Sequence, residues 1–228
     1  MHIIVPAAGL SSRFPTLEPK FLLEDSNGHI MLYRSVQPYL KKYKVTVGIL
    51  QAHEEKFNVS KILQKKDDNI NIVFLPNLTR GPAETVFEII KRSRIEDEIL
   101  VKDCDNFFNS NYEQGNLVYI SQLQKHSNLR EKEYSYLRTN KNNQVEKIVE
   151  KEIISDYFCV GGYKFESSLK YCYYFENFVS NGAEIYLSHI IQYMIYQGEY
   201  FKTSMVRNFL DFGTYDIWLK NRTLTEIF

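Results

Sequence analysis

Apolar residues fall in short runs that alternate with segments of helical periodicity through the first half of the chain. The run at 3–5 predicts a buried strand. Met31, Leu32, Val36, Tyr39 and Leu40 recur at helical spacing and predict a helix over 31–40. Strands are predicted at 45–50, 70–75 and 98–102, and helices at 54–64 and 82–93. Pro82 stands at the tolerated first turn of the second of these helices. Strands and helices alternating over such short connections imply right-handed crossovers and a parallel sheet.

The pattern changes after residue 110. Segments 117–123, 134–139 and 145–151 alternate in the manner of strands in a more antiparallel region, with a tight turn at Asn142-Asn143 between the last two. A further strand, 158–165, is interrupted by Gly161 and Gly162. Helical patterns follow at 166–178 and 183–197, then a strand at 199–206 and an amphipathic helix over 215–228. No internal repeat, low-complexity stretch or linker breaks the chain. The expectation is one α/β domain, 1–228, with a lid-like insertion.

Composition narrows the function. The 228 residues can bury a sizeable core. Lys and Arg total 28 and Asp and Glu total 28, a balance that argues against a broad grip on nucleic acid or an anionic membrane. Cys104, Cys159 and Cys172 are odd in number, far apart and outside any metal-ligand spacing, so reduced thiols and a cytoplasmic location are expected. No apolar stretch approaches the roughly 20 residues of a membrane helix. The first apolar run is too short for a secretory signal and soon meets Arg13.

Candidate chemistry sits where the predicted strands end, which is where parallel α/β sheets bind ligands. The first strand runs into AAGLSSRFPTLEPK, residues 7–20. Small residues there let backbone N–H groups approach phosphate oxygens, while Arg13 can fork two oxygens and Lys20 adds a point charge. An ordinary surface loop with two solvated cations is the competing reading. The loop is neither a Walker A motif nor GxGxxG, and GLSSR lacks the spacing of a nucleophile elbow. After the fourth strand, Asp103 and Asp105 could hold a hard divalent cation such as Mg²⁺, or serve as a cap or Asx turn. Asp211 precedes Gly213-Thr214 and a predicted helix, so capping competes there too. Lys147 and Lys151 would share one strand face, either as a functional pair or as a solvated face paired with Glu146 and Glu150. The five histidines form no metal pattern.

In this order, the pieces resemble the nucleotidyltransferase superfamily that includes sugar-1-phosphate nucleotidyltransferases and phosphocholine cytidylyltransferases. The opening loop with Arg13 and Pro19-Lys20 is similar to that family's glycine loop. Gly81-Pro82-Ala83 is similar to its base-binding turn, with proline as a departure. Asp105 in DCD and Asp211 before Gly-Thr stand where its metal aspartates stand. Glu150-Lys151, Gly162-Tyr163 and Glu184 follow its acceptor-side pattern. Ser-Ser before Arg13 and Phe14 after it depart from the commonest form of the loop while keeping its donors and cation. The compact format and ISDYFCVGGYKF are similar to small capsule-locus cytidylyltransferases of the phosphocholine and phosphoglutamine types.

The resemblance implies a Rossmann-like three-layer fold with a mixed, mostly parallel sheet and a small acceptor-binding region. It implies Mg²⁺-dependent transfer of a nucleotidyl group, CTP favoured, to a phosphorylated small molecule with loss of pyrophosphate. Arg13, Lys20 and Lys151 would be catalytic. Ala8, Gly9, Arg13, Lys20, Gly81, Ala83 and Asp103 would bind the nucleotide. Lys151, Gly162, Tyr163 and Glu184 would bind the acceptor, and Asp105 and Asp211 the metal. The alternatives are a sugar-1-phosphate uridylyl- or thymidylyltransferase, a glycosyltransferase on a similar sheet, and a non-catalytic nucleotide-binding regulator.

Overall fold

A computed structural model describes residues 1–126 and 129–224. Residues 225–228 of the predicted terminal helix lie outside the described residues.

The sheet starts as the alternation requires. Strand β1 (His2–Pro6) is central, paired in parallel with β2 (Lys44–Leu50) on one side and β4 (Ile99–Lys102) on the other. Strand β3 (Ile70–Leu75) extends it beyond β2, again in parallel. On the far side β9 (Tyr157–Phe165) runs antiparallel to both β4 and β6 (Asn116–Gln122), and β10 (Phe201–Met205) pairs in parallel with β6 at the edge. The order β10-β6-β9-β4-β1-β2-β3 is therefore a parallel half joined to a mixed half. A hairpin, β7 (Ser135–Thr139) with β8 (Val145–Glu150), branches from β9 through Tyr136 and Phe158. Its turn includes Asn143 in the left-handed region, φ 60°. A separate ribbon joins β5 (Asn106–Asn109) to β11 (Arg207–Asp211).

Strand periodicity sends alternate side chains to opposite faces. Ile3 and Val5 pack with Leu32 and Val36 of α1 (Met31–Leu40) and with Val59 and Leu63 of α3 (Val59–Lys66). Ile4 and Val101 pack with Val86 and Ile89 of α4 (Pro82–Ser93), Tyr171 of α5 (Ser168–Asn177) and Ile190 of α6 (Leu187–Tyr196). Two separate apolar layers on one sheet make the three-layer αβα arrangement. A third cluster, including Phe14, Phe107, Phe212 and Trp218, lies under the β5–β11 ribbon and anchors α7 (Tyr215–Asn221).

The structure departs from the periodicity in several places, among them the helices expected over 183–197 and 215–228, which are Leu187–Tyr196 and Tyr215–Asn221. The helix expected over 54–64 is two helices, α2 (Gln51–Phe57) and α3, because Asn58 takes a left-handed conformation, φ 49°. Asparagine tolerates that region better than most residues. The ribbon strands β5 and β11 are too short and irregular to show a period, with a register shift between Arg207 and Leu210. Lys151 lies one residue past β8 with φ 58°, so the alternation that put it on one face with Lys147 stops before it. Lys147 is exposed, while Lys151 turns toward the cleft.

Candidate active site

The ends of β1 and β4 and the start of β9's glycine pair open on a cleft of about 490 Å³. The loop after β1 is folded back on itself. Ser11, with φ 56°, accepts the Phe14 N–H at its carbonyl (2.9 Å), and its hydroxyl accepts the Lys20 backbone N–H (3.0 Å). This double hold brings two cations, seven positions apart in sequence, over the end of β4. Lys20 Nζ donates to Asp105 Oδ2 at 2.5 Å, and Arg13 Nη2 stands 3.9 Å from the same oxygen. Arg13 Nη1 also pairs with Glu133 Oε2 at 2.9 Å.

Asp211 closes the other side. The end of β11 pairs with Asn106, and the Phe212 N–H donates to the Asp105 carbonyl at 2.8 Å, so the two aspartates come from directly linked backbones. Asp211 Oδ1 accepts the Gly213 N–H (2.8 Å) and Oδ2 accepts the Tyr134 hydroxyl (2.6 Å). Asp103 stands deeper, its N–H on the Gly161 carbonyl at 2.8 Å and its carboxyl against Gly161. Gly161 has φ 73°, and a Cβ there would run into that carboxyl, so the position excludes other residues. Beneath this turn the buried Lys102 ammonium donates to the carbonyls of Asp103 (3.0 Å) and Asn106 (2.9 Å) and fixes the path of the loop.

The carboxylates differ electrostatically. Burial acts to raise the Asp105 carboxyl, but Lys20 and Arg13 outweigh it and hold the group below its ordinary pKa. Burial, helped by Asp105, raises Asp103. Asp211 is also raised, by burial first and against the pull of the Tyr134 and Gly213 hydrogen bonds. Burial lowers Lys102, whereas at Lys20 the Asp105 carboxylate overcomes burial and raises the ammonium.

A Cβ at Gly213 would lie 3.0 Å from Asp211 Oδ1, 3.5 Å from Asp105 Oδ2 and 4.0 Å from Arg13 Nη1. The two carboxylates therefore face one small space that a side chain would intrude upon. All the donors are oxygens, and among the described residues no group of three or more His, Cys, Asp or Glu side chains is placed to hold a metal. A pair of carboxylates completed by substrate phosphates is the habit of Mg²⁺. The residues fit that ion, and Asp105 and Asp211 would hold it.

The opposite wall of the cleft is built largely from hydroxyls. Lys151 Nζ donates to the Tyr186 hydroxyl at 2.6 Å and lies over its ring, and that hydroxyl donates to Glu184. Glu150 Oε2 accepts the hydroxyls of Ser188, at 2.7 Å, and Ser135. Tyr163 and Gly161 also line this part of the cleft. A second hollow of about 460 Å³ adjoins it, bounded by Ala8, Gly9, Gly81, Pro82 and Glu184. Its wall is stitched across: the Ile185 N–H donates to the Arg80 carbonyl (2.7 Å) and the Ala83 N–H to the Ile185 carbonyl (3.1 Å). Gly81, φ 134°, permits the stitch, since a Cβ there would sit 2.6 Å from the Ile185 carbonyl oxygen.

Gly9, Arg13, Lys20, Asp103, Asp105 and Asp211 meet in the cleft, joined by Lys151, Tyr163 and Glu184. Two expected residues are placed otherwise. The Ala83 side chain is fully buried in the core, so only the neighbouring Gly81 and Pro82 face the hollow. Gly162 faces Phe108 and Tyr119, where a Cβ would stand 2.5 Å from Phe108 Cζ, and Gly161 is the glycine that reaches the cleft. Sequence reasoning passed over Ser11, Glu133 and Tyr134. The short i to i+9 hold of Ser11 and the alternation of Tyr134 with buried Tyr136 carry no signal that separates them from ordinary loop and strand residues.

The sheet order and the cleft at its carboxyl end are those of a Rossmann-like nucleotidyltransferase fold. Solved structures with this fold include the nucleoside-diphosphate-sugar pyrophosphorylase from Vibrio cholerae RC9 (TM-score 0.80, 21% identity, covering 96% of this chain and 98% of that one). A Bacillus anthracis protein assigned as a glucose-1-phosphate thymidylyltransferase, in complex with sucrose, superposes with a TM-score of 0.79 at 18% identity, covering 100% and 96%. The inositol-1-phosphate CTP transferase from T. maritima gives 0.76 at 17%, covering 95% and 90%. No protein-family model matches the chain, and no curated protein matches it. Among the described residues no helix is long and apolar enough to cross a membrane, and the three cysteines are free and buried.

Proposed function

We propose that this protein is a Mg²⁺-dependent nucleotidyltransferase that moves a nucleoside monophosphate from an NTP, CTP by preference, to a phosphorylated small molecule and releases pyrophosphate. The observation that carries the reading is the Asp105 carboxylate, contacted by Lys20 at 2.5 Å and Arg13 at 3.9 Å and facing Asp211 across an open space. Two cations and two carboxylates converging from distant parts of the chain suit a reaction whose main demand is charge neutralisation and in-line positioning.

The acceptor needs no strong base, because a phosphate monoester loses its second proton near a pKa of roughly 6 and attacks as an anion. Its oxygen forms a bond to the α-phosphorus while the bond to the β-phosphate oxygen breaks and pyrophosphate departs. Arg13 holds the β- and γ-phosphates, exchanging Glu133 for them. Lys20 moves from Asp105 to the α-phosphate as charge builds there. Lys151, steadied by Tyr186 and Glu184, holds the acceptor phosphate. Mg²⁺, when bound at Asp105 and Asp211, supplies charge neutralisation at the phosphates. Ala8, Gly9 and Gly81 border the base.

The acceptor is a phosphocholine- or phosphoglutamine-type compound of capsule or surface polysaccharide modification, and the work is cytoplasmic. The acceptor assignment rests on the likeness of the ISDYFCVGGYKF stretch to capsule-locus cytidylyltransferases, and the location on the three free, buried thiols. The test is a matrix of NTPs against phosphorylated acceptors, read as pyrophosphate release with and without Mg²⁺. Release with CTP and one acceptor is expected. No pyrophosphate from any pair, or release of a nucleoside diphosphate from a nucleotide sugar, overturns the proposal.

A further inference from the structure

Tyr134 holds both ends of the cleft. Its hydroxyl donates to Asp211 Oδ2 at 2.6 Å, and its backbone carbonyl accepts the Lys151 N–H at 3.0 Å, at the residue where the chain leaves β8 in a left-handed turn. Its ring is fixed edge-on against Phe158, centroids 4.8 Å apart, and Phe158 packs in turn on Phe209 of β11. The hydroxyl thus has a defined position relative to the strand that carries Asp211.

Asp211 needs that hold. Asp105 is oriented by an ammonium and a guanidinium, whereas among the described residues no cation forms an ion pair with Asp211, on which Arg13 acts only from a distance. Its two oxygens are set by neutral donors alone, Gly213 N–H on Oδ1 and Tyr134 O–H on Oδ2. One donor on each oxygen fixes the carboxylate plane, and each oxygen keeps lone-pair capacity for a further partner. The free side of Oδ1 faces the space beside Gly213 that Asp105 Oδ2 also faces. With only the Gly213 bond the carboxyl could turn about its Cβ–Cγ axis and carry Oδ1 away from that space.

We infer that Tyr134 is a positioning residue: its phenol orients the Asp211 carboxylate for a divalent cation shared with Asp105. The inference rests on the function proposed above. Hydrogen-bonding partners of metal-holding carboxylates typically change metal affinity by about 10- to 100-fold when removed.

The experiment is direct titration of the intact protein with Mn²⁺, a spin-active stand-in for Mg²⁺, in the presence of a non-hydrolysable CTP analogue, with free Mn²⁺ read by electron paramagnetic resonance. Wild type, Asp211→Asn, Tyr134→Phe and Tyr157→Phe are compared. Tyr157→Phe removes a hydroxyl that bonds Gln122 (3.1 Å) rather than a carboxylate, and so controls for loss of a tyrosine hydroxyl as such. Tyr134→Phe keeps the ring against Phe158, and its melting curve without metal verifies folding. The expected result is Mn²⁺ affinity weakened at least about tenfold in Tyr134→Phe, with Tyr157→Phe at the wild-type value. Equal affinity in Tyr134→Phe and wild type, or equal weakening in both phenylalanine variants, overturns the inference. Should wild type and Asp211→Asn bind Mn²⁺ alike, the metal assignment to Asp211 fails and this inference fails with it. Loss in Asp211→Asn but not in Tyr134→Phe defeats the inference alone.

Discussion

The two sides of the cleft are held by different forces. On the wall proposed to hold the nucleotide, Lys20 and Arg13 converge on Asp105, with Lys20 and Asp105 mostly covered and Arg13 partly exposed. On the wall proposed to hold the acceptor, hydroxyls of Ser135, Ser188, Tyr134 and Tyr186 bond to Glu150, Asp211 and Glu184, and among the described residues Lys151 is the one cation hydrogen-bonded in that network. An ionic cluster changes its pairings when another anion or cation arrives, because its members are already charged. A hydroxyl network carries shape: it sets directions and distances and tolerates little exchange. Under the proposed function, the first wall is thus suited to accept a triphosphate and the second to discriminate a substrate.

The comparison breaks most sharply at Asp105. Asp105→Ala is expected to lower pyrophosphate release by at least about 10²-fold, the scale of losing one preorganised electrostatic group. Circular dichroism should show the fold retained, and near-normal turnover by a folded variant would remove the nucleotide side from the chemistry. Lys151→Met should weaken acceptor-phosphate binding by about 10- to 100-fold, the range of a charged hydrogen bond of roughly 1.5–3 kcal/mol. The apparent affinity for the NTP should hold, and equal loss of both affinities would show that the two sides are not separate.

Glu133→Gln sharpens the comparison in the opposite direction. The Arg13–Glu133 pair is partly exposed, with 43% and 37% of the side chains accessible, so its release is worth at most about 1 kcal/mol. Pyrophosphate should bind a few-fold more tightly to this variant in calorimetry. Unchanged or weaker binding would show that Glu133 does not compete for Arg13.

The smallest effect is on pH and stability. His2 on β1 is buried against the Thr46 hydroxyl at 2.7 Å, and burial lowers its pKa. The unfolded chain takes up this proton near pH 6.5 while the fold resists it, so below 6.5 the unfolded state binds more protons. Stability from this site is complete above about pH 6.5 and is lost as pH falls through the window down to the folded value. A melting temperature lower at pH 5.5 than at 7.5, with the difference reduced in His2→Gln, is the expected outcome. An identical pH difference in both proteins would clear His2 of the effect.

Most of the parallel half was legible because β1, β2 and β4 are buried on both faces and write plain apolar runs. The strands at 70–75 and the helices at 31–40 and 82–93 have the bounds expected from their patterns. The β5–β11 ribbon was not, since its short strands gain their partners only from chain segments far apart, and its bulge erases the period. Arg13, Lys20, Asp105 and Asp211, which meet in the cleft, were singled out by the order of motifs that resembles the nucleotidyltransferase superfamily, since their residue types alone left surface-loop and capping readings open. Gly161 and Gly162 could not be told apart, since which one has the left-handed backbone depends on the approach of Asp103. Tyr134 looked like one more tyrosine among 17, and only its contact with Asp211 distinguishes it.

The ribbon also sets a schedule. Asp105 leaves the ribosome with β4 already able to find β1, whereas Asp211 belongs to the last strand of the described chain and reaches Asp105 only when β11 finds β5. Pairings between such distant segments form late, because loop closure must precede the contacts that reward it. A nascent chain could therefore complete its parallel half and still lack the second carboxylate. Under the proposed function, it would have no means of spending NTP until synthesis had passed residue 211.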